Sequence, residues 1–391
     1  MKKRKIVFVT KALWIGGIET ALINLLNRID YSRYDVTLLT IHGVLELLDK
    51  INSNCRVLSV DREELFSFQN RYKYTKLNHL AEETDSPSVL HNTFMWTTPA
   101  IKWIENRLYI HYIRRCLSGE HFDTCVIYSD VTAETAIRAV AADRYLMYYH
   151  HGAMRHVYHD GIAYRRCDKI IAVSENQANE LKRFVPSAAD KVTVIHNLSD
   201  VNDIRQKAEQ PTEEVFDPQR FHIVTVGRVS REKGMDIAVR VCAKLVESGL
   251  KNICWWIVGD GPAMQEVRAL VTDLGVEPYM KLVGMKGNPY PYIRQADLYV
   301  QPSRFEGYPM TLLEAIALGQ PVISTDNDGA KEIIEDGHTG LLCSVDVPTF
   351  TRVIGEAIEK PEKRDELRRN VLNINFDLRN NHYIEQLEKL L

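Results

Sequence analysis

The sequence predicts two α/β domains, each built around a parallel β-sheet and joined by a polar segment. The chain has 391 residues, which is enough for two domains with substantial cores. Short apolar, β-branched runs alternate with segments of helical periodicity in both halves, as is typical of strands that are followed by crossover helices. Residues 199–220 are polar and charged and contain two prolines, which indicates a connection between the domains.

The composition narrows the class of protein. A formal net charge of −3 gives no reason to expect nucleic-acid binding. The seven cysteines are scattered without a C-x-x-C pair, which favours reduced thiols in the cytosol and no zinc site. No stretch approaches the roughly 20 apolar residues that span a bilayer, and the basic residues before the first strand are not followed by a signal-peptide cleavage site. We therefore expect a cytoplasmic protein.

The first half opens with a strand–loop–helix unit. Residues 6–10 form a buried-type strand, a loop passes through Gly16 and Gly17, and residues 18–27 have helical spacing. The full glycine-rich fingerprint of dinucleotide-binding proteins is absent, so we expect no dinucleotide cofactor. The glycine pair favours close approach of the backbone to a ligand, and a plain turn before a helix is the alternative.

Two other features of the first half bear on function. A strand over residues 145–149 delivers His150 and His151 at its carboxyl end, where ligands of open parallel sheets bind. Residues 99–117 predict a helix in which aromatic and apolar side chains such as Trp103 alternate with basic ones such as Arg107. Such a helix suits a membrane surface with anionic lipid, and an amphipathic helix packed on the sheet is the alternative.

The second half opens with a strand over residues 223–226 that ends in Gly227 and Arg228. Lys233 and Gly234 follow, just before a predicted helix. Two cations at the end of a buried strand suit an anionic ligand such as a diphosphate, whereas isolated residues of this kind are usually solvated surface charges. Further strands are predicted over residues 253–258, 281–285, 298–300 and 321–325.

The stretch from Ser303 to Ala315 connects a strand to a helix whose first residue is predicted to be Pro309. The unpaired amides at the start of a helix form a natural seat for phosphate. Glu306 precedes this seat and Glu314 lies about 7–8 Å beyond Pro309, so the carboxylates can flank a diphosphate and do not share a proton. Carboxylates also suit the vicinal hydroxyls of a sugar or ribose. A molecule with a sugar, two phosphates and a ribose in line is a nucleotide-sugar. The alternative is a pair of ordinary surface glutamates.

This stretch, from Glu306-Gly307-Tyr308-Pro309 through Glu314 and on to residues 319–323, resembles the Glu-x7-Glu signature of glycosyltransferase family 4. The resemblance implies a GT-B fold, in which two Rossmann-like domains face each other across a cleft and the C-terminal helix returns to the first domain. It implies an acceptor-binding domain over residues 1–198, with residues 375–391 packed back on it, and a nucleotide-sugar-binding domain over residues 199–374.

The resemblance also implies roles for individual residues. His151 is expected to contact the donor sugar, Arg228 and Lys233 the diphosphate, Glu306 the sugar hydroxyls and Glu314 the ribose, while the loop at Met285 receives the base. The full set of expected donor-binding residues beyond His151, Arg228, Lys233 and Glu306 is Gly16, Gly17, Met285, Gly307, Tyr308, Met310, Thr311, Leu312 and Glu314.

The expected reaction is a retaining, hexosyltransferase-type transfer from a UDP-sugar, or alternatively a GDP-sugar, to a hydroxyl of a lipid-linked or growing surface-polysaccharide glycan. Peripheral contact with the cytoplasmic face of the membrane is part of this hypothesis. No cofactor or metal is expected, because the Asp-x-Asp at Asp326 and Asp328 lies where family members carry an aspartate followed by small residues. A nucleotide-sugar epimerase of the same fold and a non-catalytic binding relative remain alternatives.

Overall fold

The structure is a computed structural model, and it describes residues 2–14, 16–61, 89–150 and 161–391, with the side chains of residues 89–102 and 162 not included. Two parallel sheets organise the chain. The first has the strand order β3-β2-β1-β4-β5-β6-β7 and the second has the order β10-β9-β8-β11-β12-β13. The strands of the first sheet are β1 (Arg4–Thr10), β2 (Tyr34–Thr40), β3 (Arg56–Ser59), β4 (His121–Ile127), β5 (Ala141–Tyr149), β6 (Lys169–Ala172) and β7 (Val192–Val194).

The second sheet has the strand order of a Rossmann fold, with the order reversing between β8 and β11 as it does between β1 and β4. Ligands of such sheets bind beyond the carboxyl ends of the strands at the point of reversal. Its strands are β8 (Phe221–Val226), β9 (Ile253–Val258), β10 (Met280–Gly284), β11 (Leu298–Gln301), β12 (Val322–Thr325) and β13 (Leu341–Cys343).

Helices cover both faces of each sheet, as parallel strands require. They are α1 (Gly17–Arg28), α2 (Val89–Cys116), α3 (Ala133–Ala139), α4 (Gly161–Arg166), α5 (Glu175–Phe184), α6 (Val201–Ala208), α7 (Met235–Glu247), α8 (Met264–Asp273), α9 (Tyr290–Gln295), α10 (Met310–Ala317), α11 (Asp328–Lys331), α12 (Val347–Glu359), α13 (Pro361–Leu372) and α14 (Phe376–Glu388). Within the part of the chain that the structure describes, no helix has both the length and the apolar character needed to cross a membrane.

The chain ends by crossing back from the second domain to the first, as the resemblance implied. Arg33 forms an ion pair with Glu388 of α14 at 2.6 Å, and the Thr124 hydroxyl of β4 donates to the carbonyl of Leu391 at 3.1 Å. Helix α14 begins at Phe376, because the Asn375 side chain accepts from the Leu378 amide and caps it. One apolar cluster consequently extends through α14 between the two sheets.

The segment predicted as a linker, residues 199–220, contains a helix. The Asp200 carboxylate caps α6 by accepting from the Asp203 amide at 3.1 Å. Arg205 of the same helix donates from Nε to the carbonyl of Ala317 at 3.1 Å, so α6 packs against the second domain. Only one narrow face of this helix is buried, so its sequence is mostly polar and lacks the broad apolar stripe that predicts a helix.

Gly234 determines how the chain enters α7. Its φ of +67° lies in the left-handed region, and a Cβ atom at this position would lie 2.0 Å from the carbonyl oxygen of Pro302. Only glycine permits this approach without a clash. The approach matters for the site, because it brings Lys233 beside the loop that follows β11.

We expect Gly234→Ala to lower the free energy of unfolding by about 3 kcal/mol or more, because a left-handed strain of about 1–2 kcal/mol is added to a backbone clash. Gly275→Ala is the matched control, since Gly275 has a φ of +64° and no atom within 4 Å of the added Cβ. The control isolates the strain alone. Urea unfolding followed by circular dichroism measures both losses, and equal losses would contradict the clash.

Candidate functional site

The candidate site lies beyond the carboxyl ends of β8 and β11, where the order of the second sheet reverses. The start of α1 in the first domain faces it. A Cβ atom built on Gly17 would lie 3.9 Å from Cγ of Met310, the first residue of α10. The amino ends of α1 and α10 therefore approach each other across the cleft, with a glycine at the point of contact.

A buried hydrogen-bond network surrounds Glu306. Its Oε1 accepts from the Ser303 hydroxyl at 2.6 Å and from Nε2 of Gln301 at 2.8 Å. Lys233 Nζ lies 2.8 Å from Oε1 and 2.6 Å from Oε2. The Tyr299 hydroxyl donates to the Gln301 amide oxygen at 2.7 Å, which orients that amide with its nitrogen towards Glu306. The carboxylate is thus held from the strand side and from the side of Lys233.

The structure brings Glu306 and Lys233, which the sequence assigned to different parts of a donor, into one ion pair. The Glu306 side chain is 5% exposed and the Lys233 side chain is 24% exposed. An ammonium group has three N–H donors, so Lys233 can contact Glu306 and a further anion together. This pair is the electrostatic centre of the site.

Arg228 follows β8 and is exposed at the same edge of the sheet. The turn after β9 packs closely beside it, since a Cβ atom on Gly261 would lie 2.4 Å from the Val229 carbonyl oxygen and 3.0 Å from Cγ of Arg228. Among the described residues the Arg228 guanidinium has no ion-pair partner. It is therefore available to an anion at this edge.

Helix α10 begins one residue later than predicted, with Pro309 in an extended N-cap conformation and Met310 as the first helical residue. The amides of Leu312 and Leu313 donate to the Pro309 carbonyl at 3.1 and 3.3 Å. Leu312, which was also assigned to the donor, therefore uses its amide within the helix. The amides of Met310 and Thr311 have no acceptor within the described ranges, so these two helix amides can hold an anion.

Tyr308 directs its side chain away from this anion seat. Its hydroxyl accepts a hydrogen bond from Arg379 of α14, and its ring stacks on His196 of the first domain with centroids 4.9 Å apart. The side chain therefore serves contact between the domains. Only the backbone of Tyr308, beside that of Gly307, can serve a bound donor.

Glu314 lies in the second turn of α10 and is buried. Burial raises the pKa of its carboxyl group to about 8, although a hydrogen bond from the Tyr290 hydroxyl at 3.4 Å lowers it slightly. The group is therefore mostly a neutral acid at pH 7. A neutral carboxyl group can both donate to and accept from a hydroxyl.

Met285 lies at the rim of the site, in the loop after β10, with 69% of its surface exposed. The Gly284 carbonyl before it accepts from the Gly259 amide at 2.8 Å, which ties this loop to the loop after β9. The backbone at Met285 is thus held at the same sheet edge as Arg228.

The first domain contributes less of the predicted site. Gly16 is the N-cap of α1, and its lack of a Cβ leaves room for the Glu19 carboxylate, which would lie 2.6 Å from such an atom. Sequence reasoning missed Glu19, whose pKa is raised by burial. His150 stands at the end of β5 with its ring 4.8 Å from that of Tyr128. His151, the predicted contact to the donor sugar, lies outside the described residues.

The Asp-x-Asp segment has other partners. Asp326 pairs with Lys331 at 2.8 Å, and the intervening Asn327 caps α11 by accepting from the Ala330 amide at 3.0 Å. Across the residues included in the structure, no group of three or more His, Cys, Asp or Glu side chains is arranged to hold a metal ion.

Two family models match this chain. One, described as Glycosyltransferase Family 4, matches residues 15–203, and the other, described as Glycosyl transferases group 1, matches residues 206–373.

Curated proteins match part of the chain. The N-acetylgalactosamine-N,N'-diacetylbacillosaminyl-diphospho-undecaprenol 4-alpha-N-acetylgalactosaminyltransferase of Campylobacter jejuni is 31% identical over 47% of this chain and 49% of its own length. The alpha-D-kanosaminyltransferase of Streptomyces kanamyceticus is 26% identical over 53% of this chain and 55% of its own. The match thus spans about half the length of these relatives.

Solved structures match over nearly the whole length. Anabaena Alr3699/HepE in complex with UDP and glucose superposes with a TM-score of 0.70 and 19% identity, covering 98% of this chain and 99% of that one. A glycosyltransferase from Rickettsia africae ESF-5 gives a TM-score of 0.70 at 17% identity, covering 100% of this chain and 98% of that one. At these identities the likeness concerns the fold alone.

The raised pKa of Glu314 predicts a pH-dependent stability that Glu314→Gln removes. The folded protein holds this proton up to about pH 8, whereas the unfolded chain releases it near pH 4.5, so stability from this group is lost as pH rises between those values. We expect the melting temperature of the variant relative to the natural protein to increase by several degrees between pH 5 and pH 9, because about three pKa units at about 1.4 kcal/mol each make a difference of about 4 kcal/mol.

Differential scanning calorimetry at the two pH values measures this difference. Glu277→Gln, at an exposed loop position, is the control and should leave the pH dependence unchanged. A difference between Glu314→Gln and the natural protein that is independent of pH would contradict a neutral Glu314.

Proposed function

Because this chain belongs to glycosyltransferase family 4 and has the GT-B fold, we propose that it is a glycosyltransferase that moves a sugar from a nucleotide-diphosphate sugar to an acceptor hydroxyl. The observation that carries the proposal is that Arg228, Lys233 and the free amides of Met310 and Thr311 all follow strands β8 and β11, at the edge where the order of the second sheet reverses. Four donors of positive potential at one place suit a diphosphate.

The same groups would assist departure of the diphosphate. Negative charge grows on the leaving phosphate as the glycosidic bond breaks, and preorganised cations and amides stabilise that charge in a closed cleft. Since side-chain cations do this work, the proposed reaction requires no metal ion. Lys233 would bridge the phosphate and Glu306, and Glu306 would thereby stay fixed while it accepts hydrogen bonds from sugar hydroxyls.

The nucleoside would lie along α10 and the rim. Glu314, within hydrogen-bonding reach of Tyr290, is proposed to bind the ribose hydroxyls, and the backbone at Met285 the base. A UDP-sugar is favoured, because the superposed Anabaena protein was crystallised with UDP. A GDP-sugar is the alternative donor.

We propose that the anomeric configuration is retained and that a hexose-type sugar is transferred. In a front-face reaction the leaving phosphate oxygen takes the proton of the acceptor hydroxyl while the new glycosidic bond forms on the face that the diphosphate leaves. No protein nucleophile is needed, which agrees with the Glu306 carboxylate already accepting hydrogen bonds from Ser303 and Gln301. His151 is proposed to donate to the donor sugar.

The acceptor is proposed to be a lipid-linked or polymer glycan that enters over the first domain. The Campylobacter relative is named for a diphospho-undecaprenol substrate, and a relative from Erwinia amylovora is named for amylovoran biosynthesis. The proposed acceptor domain is residues 1–198 with residues 375–391, and the proposed donor domain is residues 199–374.

The exposed face of α2 is proposed to rest on the cytoplasmic face of the membrane. Its inner face packs on the first domain, where the buried Tyr109 hydroxyl donates to the Ile41 carbonyl at 2.6 Å. Its outer face exposes large apolar side chains, and the Arg107 guanidinium lies 5.2 Å from the centre of the Trp103 ring. The exposed apolar residues of this face are Trp103, Ile104, Leu108 and Tyr112. Apolar and basic side chains on one exposed face suit anionic lipid.

Lys233→Ala should reduce donor turnover by about 10²–10³-fold, because one preorganised cation at the leaving phosphate is lost. Release of UDP from a panel of UDP-sugars, with polyprenyl-diphosphate glycans as acceptors, measures the rate with and without EDTA. Lys244→Ala, which removes an exposed lysine of α7, is the control and should retain normal turnover.

Near-normal turnover in Lys233→Ala would contradict the proposed role. Loss of activity in EDTA with recovery in Mn²⁺ would contradict metal independence. Release of an epimerised sugar without an acceptor would identify an epimerase, and binding of UDP-sugars without any turnover would identify a non-catalytic relative.

Replacing Trp103 and Leu108 together by Ala should weaken binding to anionic vesicles by about tenfold, since two large apolar side chains no longer enter the interface. Flotation with vesicles that contain phosphatidylglycerol measures the bound fraction. Vesicles of phosphatidylcholine alone are the control. Equal flotation of the double variant and the natural protein, or no flotation of either, would remove the membrane contact.

A further inference from the structure

A carboxylate of the second domain occupies the start of a helix in the first. Glu332 directly follows α11, and its two oxygens accept hydrogen bonds from the amides of Glu175 at 2.9 Å and Asn176 at 3.1 Å. These are the first two residues of α5, which packs on the first sheet. The contact therefore joins residues 157 positions apart across the domain boundary.

The start of α5 is suited to this partner. The Ser174 hydroxyl accepts from the next amide, that of Gln177, at 3.2 Å, so the unpaired amides of the first turn are divided between Ser174 and Glu332. The positive end of the helix dipole favours a carboxylate at this place. Glu332 and Ser174 together make a cap that neither domain provides alone.

A histidine of the first domain borders the same carboxylate. Nδ1 of His196 lies 3.7 Å from Glu332 and donates to the Val173 carbonyl at 2.9 Å. Burial lowers the pKa of His196, which favours the neutral ring at pH 7 and weakens its contact with Glu332. The two helix amides are therefore the principal partners of Glu332.

On its other side, Glu332 is attached to the loop that carries Glu306. Asn327, which caps α11, donates to the Ser303 carbonyl at 3.4 Å. A Cβ atom on Gly329 would lie 2.8 Å from the Glu306 carbonyl oxygen, so α11 packs directly on the backbone of that loop. A displacement of Glu332 relative to α5 thus displaces the Glu306 loop relative to the first domain.

The end of this contact in the first domain also lies near the strand ends at which the sequence predicts ligand binding. Helix α5 begins just after β6, and β6 pairs with β5, whose carboxyl end carries His150. Glu332 therefore links the carboxyl ends of the central strands in one domain to the donor loop in the other.

We propose that Glu332 is a positioning residue that holds the Glu306 loop against the strand ends of the first domain and so fixes the width of the cleft. Glutamate is suited to this role because both oxygens are used and its length spans the boundary. The proposed hold of Glu332 on the width of the cleft concerns the two domains alone. Only its effect on turnover rests on the proposed function. A donor bound by the second domain would still bind without this contact, but would meet an acceptor in a less fixed position.

The test compares Glu332→Ala, the milder Glu332→Gln, and the control Glu335→Ala, which changes an exposed glutamate three residues away. Hydrogen exchange at the amides of Glu175 and Asn176 should accelerate about tenfold in Glu332→Ala, less in Glu332→Gln, and not in the control. Small-angle X-ray scattering should give a larger radius of gyration for Glu332→Ala. Circular dichroism verifies that each variant is folded.

The kinetic arm separates positioning from donor binding. The dissociation constant for UDP should stay within about threefold of the natural value, while turnover of a UDP-sugar falls about tenfold. A loss of UDP affinity that equals the loss of turnover would overturn the proposal.

Exchange rates and a radius of gyration that match the natural protein in folded Glu332→Ala would also overturn it. If the natural protein turns over no UDP-sugar, the proposed function fails, and exchange and scattering still decide the role of Glu332.

Discussion

The burial of the Glu306 carboxylate is the constraint on which the arrangement of the second domain depends. A carboxylate removed from water is costly unless donors and a cation replace the lost hydration. Here the strand β11 supplies Gln301 and the residue Ser303 just beyond it, while the segment before α7 supplies Lys233. These groups can converge only because β8 and β11 are neighbours and the chain turns closely past Pro302 at Gly234. The strand order, Gly234 and the charge of Lys233 thus act together to stabilise the buried carboxylate of Glu306.

The two glutamates of the motif have different environments, and the difference has chemical meaning. Glu306 faces a cation and two neutral donors, whereas Glu314 is buried, accepts a hydrogen bond from the Tyr290 hydroxyl and has a pKa raised to about 8. The first is therefore suited to accepting hydrogen bonds at a fixed position. The second is mostly neutral at pH 7 and can therefore both donate to and accept from a hydroxyl.

Local patterns predicted the elements well, and long-range pairing was not predicted. The strand at residues 253–258 has the bounds expected from its periodicity and flanking residues. The helix α6 was missed because its sequence is mostly polar and its stability comes from tertiary contacts such as that of Arg205. The spacing of Glu306 and Glu314 indicated an anion seat, but no local pattern reveals that Lys233, 73 positions away, pairs with Glu306.

The loop that carries Glu306 has two functions on its two sides. Towards the cleft it presents Glu306 and the start of α10, and towards the first domain it presents Tyr308, which stacks on His196 and accepts from Arg379. Helix α11 adds Glu332 to this second side through its packing on the same backbone. Since interdomain contacts and ligand groups share one short loop, a change in the contacts of Tyr308 or Glu332 with the first domain acts on the same stretch of backbone that carries Glu306. Among the described residues, no further element of the fold lies between these contacts and the groups that would hold a diphosphate.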